Sequence, residues 1–223
     1  MTRFTLLAAL AFASLVACSS PPAAAQSDRT RVNGSIEVAA GETAGDVTTV
    51  NGSITVGASG RIQSAQTVNG SVTLGDGAVA DELQTVNGAV RVGSGAEIKD
   101  GVATVNGAIE IGPKTTVGGT VGNVSGRIEL KGATVRGRLT TVRGDIELAA
   151  GARVDGDLVV EKSKGGNYWG SDDKPRIVIG PGCVVVGKLR FERPVDLYVS
   201  DRAQTGAIVG ATATKFAGDA PTP

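Results

Sequence analysis

One short phrase recurs along this chain and dictates what it can fold into. Thr-Val-Asn-Gly, or a close copy, places its glycine at positions 34, 52, 70 and 88, eighteen residues apart, and then at 107, 126 and 144. A finer rule lies inside that period. Val32, Val38, Ala44, Val50, Val56, Ile62, Val68, Leu74, Ala80, Val86, Val92 and Ile98 follow one another every six residues. With two one-residue slips the series continues through Val105, Ile111, Val117, Val124, Leu130, Arg136, Val142, Leu148 and Val154. Of these 21 positions, 18 are Val, Ile or Leu, so the pattern marks a buried seam rather than a chance run.

A period of six nested in eighteen fits neither a helix nor a hairpin array. It fits an all-β, single-domain parallel β-helix, a solenoid with three short strands per coil of about 18 residues, each coil hydrogen-bonded to the next about 4.8 Å away. Stacking aligns equivalent residues into ladders, so Val50, Val68 and Val86 are expected as one inward column. The Asn-Gly pair is expected to supply a left-handed backbone turn at a tight corner. Asn33, Asn51, Asn69, Asn87 and Asn106 then form an amide ladder, continued by Ser125 and Arg143. The 33 glycines and sparse aromatics suit a narrow interior with many bends. Seven coils from 32 to about 160 make a rod of about 35 Å.

The period breaks at "KSKGGNYWGSDDKPR", residues 162–176, and resumes at Ile179, Val185, Phe191 and Leu197. This segment reads as a loop inserted between coils and projecting from the rod. It carries Tyr168 and Trp169, an aromatic pair suited to stacking on sugar rings or packing on a protein partner, with Lys162, Lys164, Asp172 and Asp173 nearby. The solenoid is expected over 32–210, with Phe191 and Tyr198 as the larger apolar residues of a cap and 211–223 as a disordered tail.

The start of the chain reads as an export signal: a basic residue, an apolar run and small residues at its end. The run is short for a bilayer span, which takes about 20 apolar residues. Leu15-Val16-Ala17-Cys18 resembles the bacterial lipobox. That resemblance implies removal of residues 1–17, lipidation with palmitate-type chains at Cys18, and a flexible tether over 18–31. Ser19 after the cysteine implies sorting to the outer membrane, lipid-anchored and facing the periplasm. Without residues 1–17 the chain holds 21 basic and 22 acidic residues, which gives no electrostatic case for nucleic acid. Cys18 and Cys183 are the only cysteines, so no internal disulfide framework is expected.

"VRGDIELAAGARVDGDLVVE" (142–161) and "IVIGPGCVVVGKLRFE" (177–192) resemble the bactofilins, polymer-forming bacterial proteins with a right-handed β-helix core. "TVNGSITV" is similar to the repeats of exported adhesin-type β-solenoids. The first resemblance implies a right-handed coil and self-association through coil ends, where strand edges are unpaired. The second implies a module binding a glycan or an envelope protein.

Enzymes that share this periodicity rely on histidine as general base or zinc ligand, and the chain has none. The outward column Glu110, Glu129 and Glu147 stacks like charges but lacks the Asp-rich loop that would complete a calcium site. Cys183 has no histidine to activate it. The sequence therefore predicts no catalytic residue, no metal and no cofactor, and a structural or binding role at the cell envelope.

Overall fold

The structure is a computed structural model that describes residues 27–163 and 174–221. Its described strands are all parallel and fall into three sheets along one solenoid. Within a coil the chain passes through sheet A, then B, then C. Sheet A has ten strands from Arg29–Asn33 to Ile208–Val209, sheet B ten from Ile36–Val38 to Ala213–Phe216, and sheet C seven from Val79–Ala80 to Gln204–Thr205. In the first coils sheet C is reduced to the isolated bridges Thr43↔Arg61 and Arg61↔Val79. Ten stacked strands at about 4.8 Å give a rod of about 43 Å.

Equivalent residues pair one coil apart, as in Ile54↔Val72 and Val102↔Val121. Two of the three expected inward columns are inside. Val38, Val56, Leu74 and Val92 are buried on sheet B, and Ile62, Ala80, Ile98 and Val117 on sheet C. Burying each Val, Leu or Ile side chain contributes about 1.5–3 kcal/mol before the ordering entropy of the chain is counted.

The third column is the reverse of what the period implies. Val32 is 64% exposed, and Val50, Val68, Val86, Val105, Val124 and Val142 are only half-buried. The interior of sheet A is lined instead by Val47, Ala65, Leu83, Val102, Val121 and Leu139. Two residues further on come buried Thr49, Thr67, Thr85, Thr104, Asn123 and Thr141. Strand alternation sets this order, since positions i and i+2 share a face. Threonine is tolerated inside because its hydroxyl donates to a corner carbonyl of the preceding coil: Thr49 to Gly34, Thr67 to Gly52, Thr85 to Gly70 and Thr104 to Gly88, at 3.2, 2.9, 2.8 and 3.1 Å. On sheet C the slip is by one residue: Val135 is buried, and Arg136, expected in that column, is exposed.

The corners also differ from expectation. At the A-to-B corner Gly34, Gly126 and Gly210 have positive φ, while Gly52, Gly70, Gly88, Gly107 and Gly144 do not. Left-handed backbone runs instead along the B-to-C corner, through Gly41, Ser59, Gly77, Gly95, Lys114, Gly132 and Gly151.

The inserted segment interrupts the A-to-B corner of one coil. Val160 on sheet A and Ile177 on sheet B bracket it, where the coil before needs only the span from Thr141 to Ile146. The solenoid begins before residue 32, at Arg29, and continues past 210: Ala213–Phe216, within the tail expected to be disordered, pairs with sheet B. Phe191 lies inside at 5% exposure, whereas Tyr198 faces outward on sheet B, half-buried, with the Arg176 guanidinium 5.3 Å from its ring centre.

Both ends carry charge where inner coils carry apolar side chains or the buried threonine row. Arg29 pairs with Val47 and Arg31 with Thr49, which puts both in inward columns. Arg29 reaches across the open end to the Glu37 carbonyl at 2.6 Å and to the carboxylate of Glu42, which also accepts the Ala39 N–H. At the opposite end Lys215 pairs with buried Val199 and so continues an inward column.

Candidate functional surfaces

The amide ladder forms as a continuous chain of side-chain hydrogen bonds. Asn51 Nδ2 donates to Asn33 Oδ1, Asn69 to Asn51 and Asn87 to Asn69, each at 3.0 Å, and Asn106 donates to Asn87 at 3.2 Å. Ser125 then pairs with Asn106, and Arg143 follows with its N–H on the Val124 carbonyl. Asn51, Asn69 and Asn87 each donate to one neighbour in the row and accept from the other, so the ladder is first a device for holding coils in register. A second polar row lies just inside it. Asn123 takes the place of a threonine, donates to the Gly107 and Gly126 carbonyls, and accepts a 2.7 Å bond from Thr141.

Tyr168 and Trp169, with Lys164, Asp172 and Asp173, lie outside the described residues, as does Cys18. The base of the inserted segment is described, and it is fastened on both sides. Lys162 N–H donates to Glu192 at 3.3 Å and Arg176 N–H to Asp145 at 2.8 Å. Asp196 N–H meets the Pro175 carbonyl at 3.0 Å, and Arg193 Nη1 reaches past the interrupted coil to the Val142 carbonyl at 3.0 Å.

Glu110, Glu129 and Glu147 stack in register on the outer face of sheet B. Their charges are met by cations: Arg91 to Glu110 at 3.4 Å, Lys131 to Glu129 at 2.9 Å and Arg127 to Glu147 at 2.8 Å. The Glu129 hydrogen bond, helped by the charges of Glu110 and Glu147, holds the Lys131 ammonium above its ordinary range. These pairs are largely exposed, so each contributes little to stability, about 0–1 kcal/mol. Among the described residues no group of three or more acidic, cysteine or histidine side chains is placed to hold a metal ion.

Cys183 is fully buried, one coil on from Ala152 in the inward column that lines sheet C. Burial pushes its thiol up, outweighing nearby backbone hydrogen bonds. Thiolate is the reactive form, so the residue is placed as a small core side chain. Among the described residues no helix is long and apolar enough to cross a membrane.

Sequence reasoning missed the buried threonine row, although its signal was present: Thr precedes Val in most copies of the phrase. It also missed how charge is distributed at the C-to-A corner, because all but one of those residues lie outside the hydrophobic period, and the period places the exception, Arg136, inside.

The fold and its surfaces define a protein of the parallel β-solenoid class, with about nine coils and three sheets. The chain matches no protein-family model, no curated protein and no solved structure.

Proposed function

We propose that this chain is an exported lipoprotein, lipidated at Cys18, that acts as a non-catalytic β-helical scaffold at the cell envelope. The observation that carries this reading is what the repeated residues do. Asparagine, threonine and glycine recur because each bonds to, or stacks on, the adjacent coil, so the repetition is spent on building a rod. The N-terminal end of that rod lies next to the tether, and the C-terminal end points about 43 Å away along the axis.

Both ends oppose head-to-tail stacking. Joining two copies would enclose Arg31 and Lys215, together with the Arg29–Glu42 pair, and an ion enclosed without a partner costs several kcal/mol. The scaffold therefore does not extend itself as an end-to-end filament. The test is metabolic labelling of the full chain with a clickable palmitate analogue, together with membrane fractionation. Label and outer-membrane recovery should both vanish in Cys18→Ser; a labelled or membrane-retained Cys18→Ser chain would overturn the anchor.

One observation favours a second reading, a binding module recognising glycan or an envelope protein through Tyr168 and Trp169. The inserted segment is a far longer break of period than the two one-residue slips, and its two feet are tied to both neighbouring coils. That is how a rigid platform presents a recognition loop. Co-sedimentation with purified cell-wall glycan that is lost in Trp169→Ala would support it, and unchanged co-sedimentation would remove it.

A further inference from the structure

The C-to-A corner divides the rod electrostatically. Along it, and on the adjoining outward positions, the first coils carry Asp28, Asp46, Asp81, Glu82, Glu97 and Asp100 against Arg61 and Lys99. The last coils carry Arg136, Arg138, Arg153, Lys188 and Arg190 against Asp155 and Asp157. Between them lies a smooth waist of Gly101, Gly118, Gly119 and Thr120. Some charges are already matched: Lys99 with Asp81 at 2.7 Å, Arg153 with Asp155 at 2.7 Å and Arg190 with Asp157 at 3.6 Å. The side chains of Arg136, Arg138 and Lys188 have no such partner among the described residues.

Register turns this division into a self-complementary pattern. One row of residues marks the start of sheet A in every coil, Ser64 and Glu82 as the first residues of their strands and the others immediately before theirs: Asp28, Asp46, Ser64, Glu82, Gly101, Thr120, Arg138, Asp157, Lys188 and Ala207. A two-fold axis set between the fifth and sixth strands exchanges the two halves of this series in an antiparallel partner. Asp46 then meets Lys188 and Glu82 meets Arg138, while Ser64, whose hydroxyl already donates to Asp46 at 2.7 Å, faces Asp157 without a charge of its own. The neighbouring row follows suit, with Arg136 joining Asp81. Gly101 and Thr120 face one another at the axis, where small side chains let the corners approach. Within this series no pair of like charges meets; on the adjoining outward row of sheet C Arg61 falls opposite Arg153, whose guanidinium is already held by Asp155.

We infer that this corner is an interaction surface for a second copy of the chain, two rods lying side by side and antiparallel about the glycine waist. The interface is isologous, as two-fold symmetry requires. It is long and narrow, at the small end of the range for protein contacts, and held by exposed charges, so it is weak, reversible and screened within about 8 Å at physiological salt. It uses neither the rod ends nor the inserted segment, and it does not depend on the lipid anchor.

The test is sedimentation velocity of the full chain, carrying Cys18→Ser to remain free of lipid, across a wide concentration range and at low and high salt. At low ionic strength the chain should form dimers, and at about 0.5 M salt it should sediment as a monomer. The double reversal Arg136→Glu with Arg138→Glu should weaken dimerisation about tenfold or more, and so should Asp81→Arg with Glu82→Arg. All four changes in one chain restore every cross-pair and should restore the dimer, which loss of folding could not mimic. A monomer at all concentrations in low salt overturns the inference. So does a dimer indifferent to salt, or one that the combined four-residue variant fails to recover.

Discussion

The A-to-B and B-to-C corners both favour glycine, for different physical reasons. At the A-to-B corner the reason is proximity. A Cβ on Gly52, Gly70, Gly88, Gly107, Gly126 or Gly144 would stand 1.8–2.3 Å from the carbonyl oxygen of the equivalent glycine one coil below. No side chain fits there, and glycine holds the position through all of these coils. At the B-to-C corner the reason is conformation. Gly77 and Gly95 have φ of 64° yet meet no backbone within 4 Å of an added Cβ, and Ser59 and Lys114 occupy the same place in neighbouring coils at 58° and 61°. A steric wall excludes every substitution, whereas a backbone preference of about 1–2 kcal/mol only taxes it. The glycine pattern of a stacked fold thus separates positions where coils touch from positions where the chain merely turns.

The sharpest way to break this comparison is a matched pair of alanines. Gly88→Ala should destabilise by on the order of 3 kcal/mol or more, because the clash is with backbone that cannot rotate away. Gly77→Ala, at the other corner, should lose only about 1 kcal/mol. Urea denaturation followed by circular dichroism measures both, and equal losses would refute the distinction. Thr67→Val comes next. It keeps the shape but leaves the Gly52 carbonyl without its 2.9 Å donor, for a loss of about 1–2 kcal/mol by the same measurement. Ser59→Gly should move the other way, relieving left-handed strain for a gain of about 0.5 kcal/mol after the added chain entropy is subtracted.

The smallest effect lies at the N-terminal end. The Ala39 N–H, then the Arg29 guanidinium, holds the Glu42 carboxyl below its usual value near 4.5. A lowered folded-state pKa means that its contribution is present above that usual value and is lost as pH falls through the lower folded one. Amide protection of Ile36 and Val38 should therefore drop in acid, and Glu42→Gln should flatten that dependence.

Much of the architecture was legible from residue spacing. The eighteen-residue period gave the coil, the position of the interruption and the asparagine ladder, because stacking forces equal residues to equal places. Two of the three hydrophobic columns followed from the hexad rule. The third did not, since Val50 and its counterparts satisfy the period while Thr49 and its counterparts take the interior. A hydrophobicity pattern ranks valine above threonine for burial. It does not register that the hydroxyl has a carbonyl waiting for it on the coil below. The candidate recognition residues Tyr168 and Trp169 were visible as a break in pattern, while the feet that anchor their segment were not, because Glu192, Asp145 and Val142 lie in other coils.

The sequence alone thus determined that this protein stacks: a fixed period can be satisfied only by coils that repeat one another's bends and pairings. Only the tertiary structure decided which side of each strand faces in, which corner needs left-handed backbone, and which charges share a surface. Those outcomes depend on contacts between residues eighteen or more positions apart, where one coil's carbonyls, hydroxyls and carboxylates meet the next, and no local propensity encodes them.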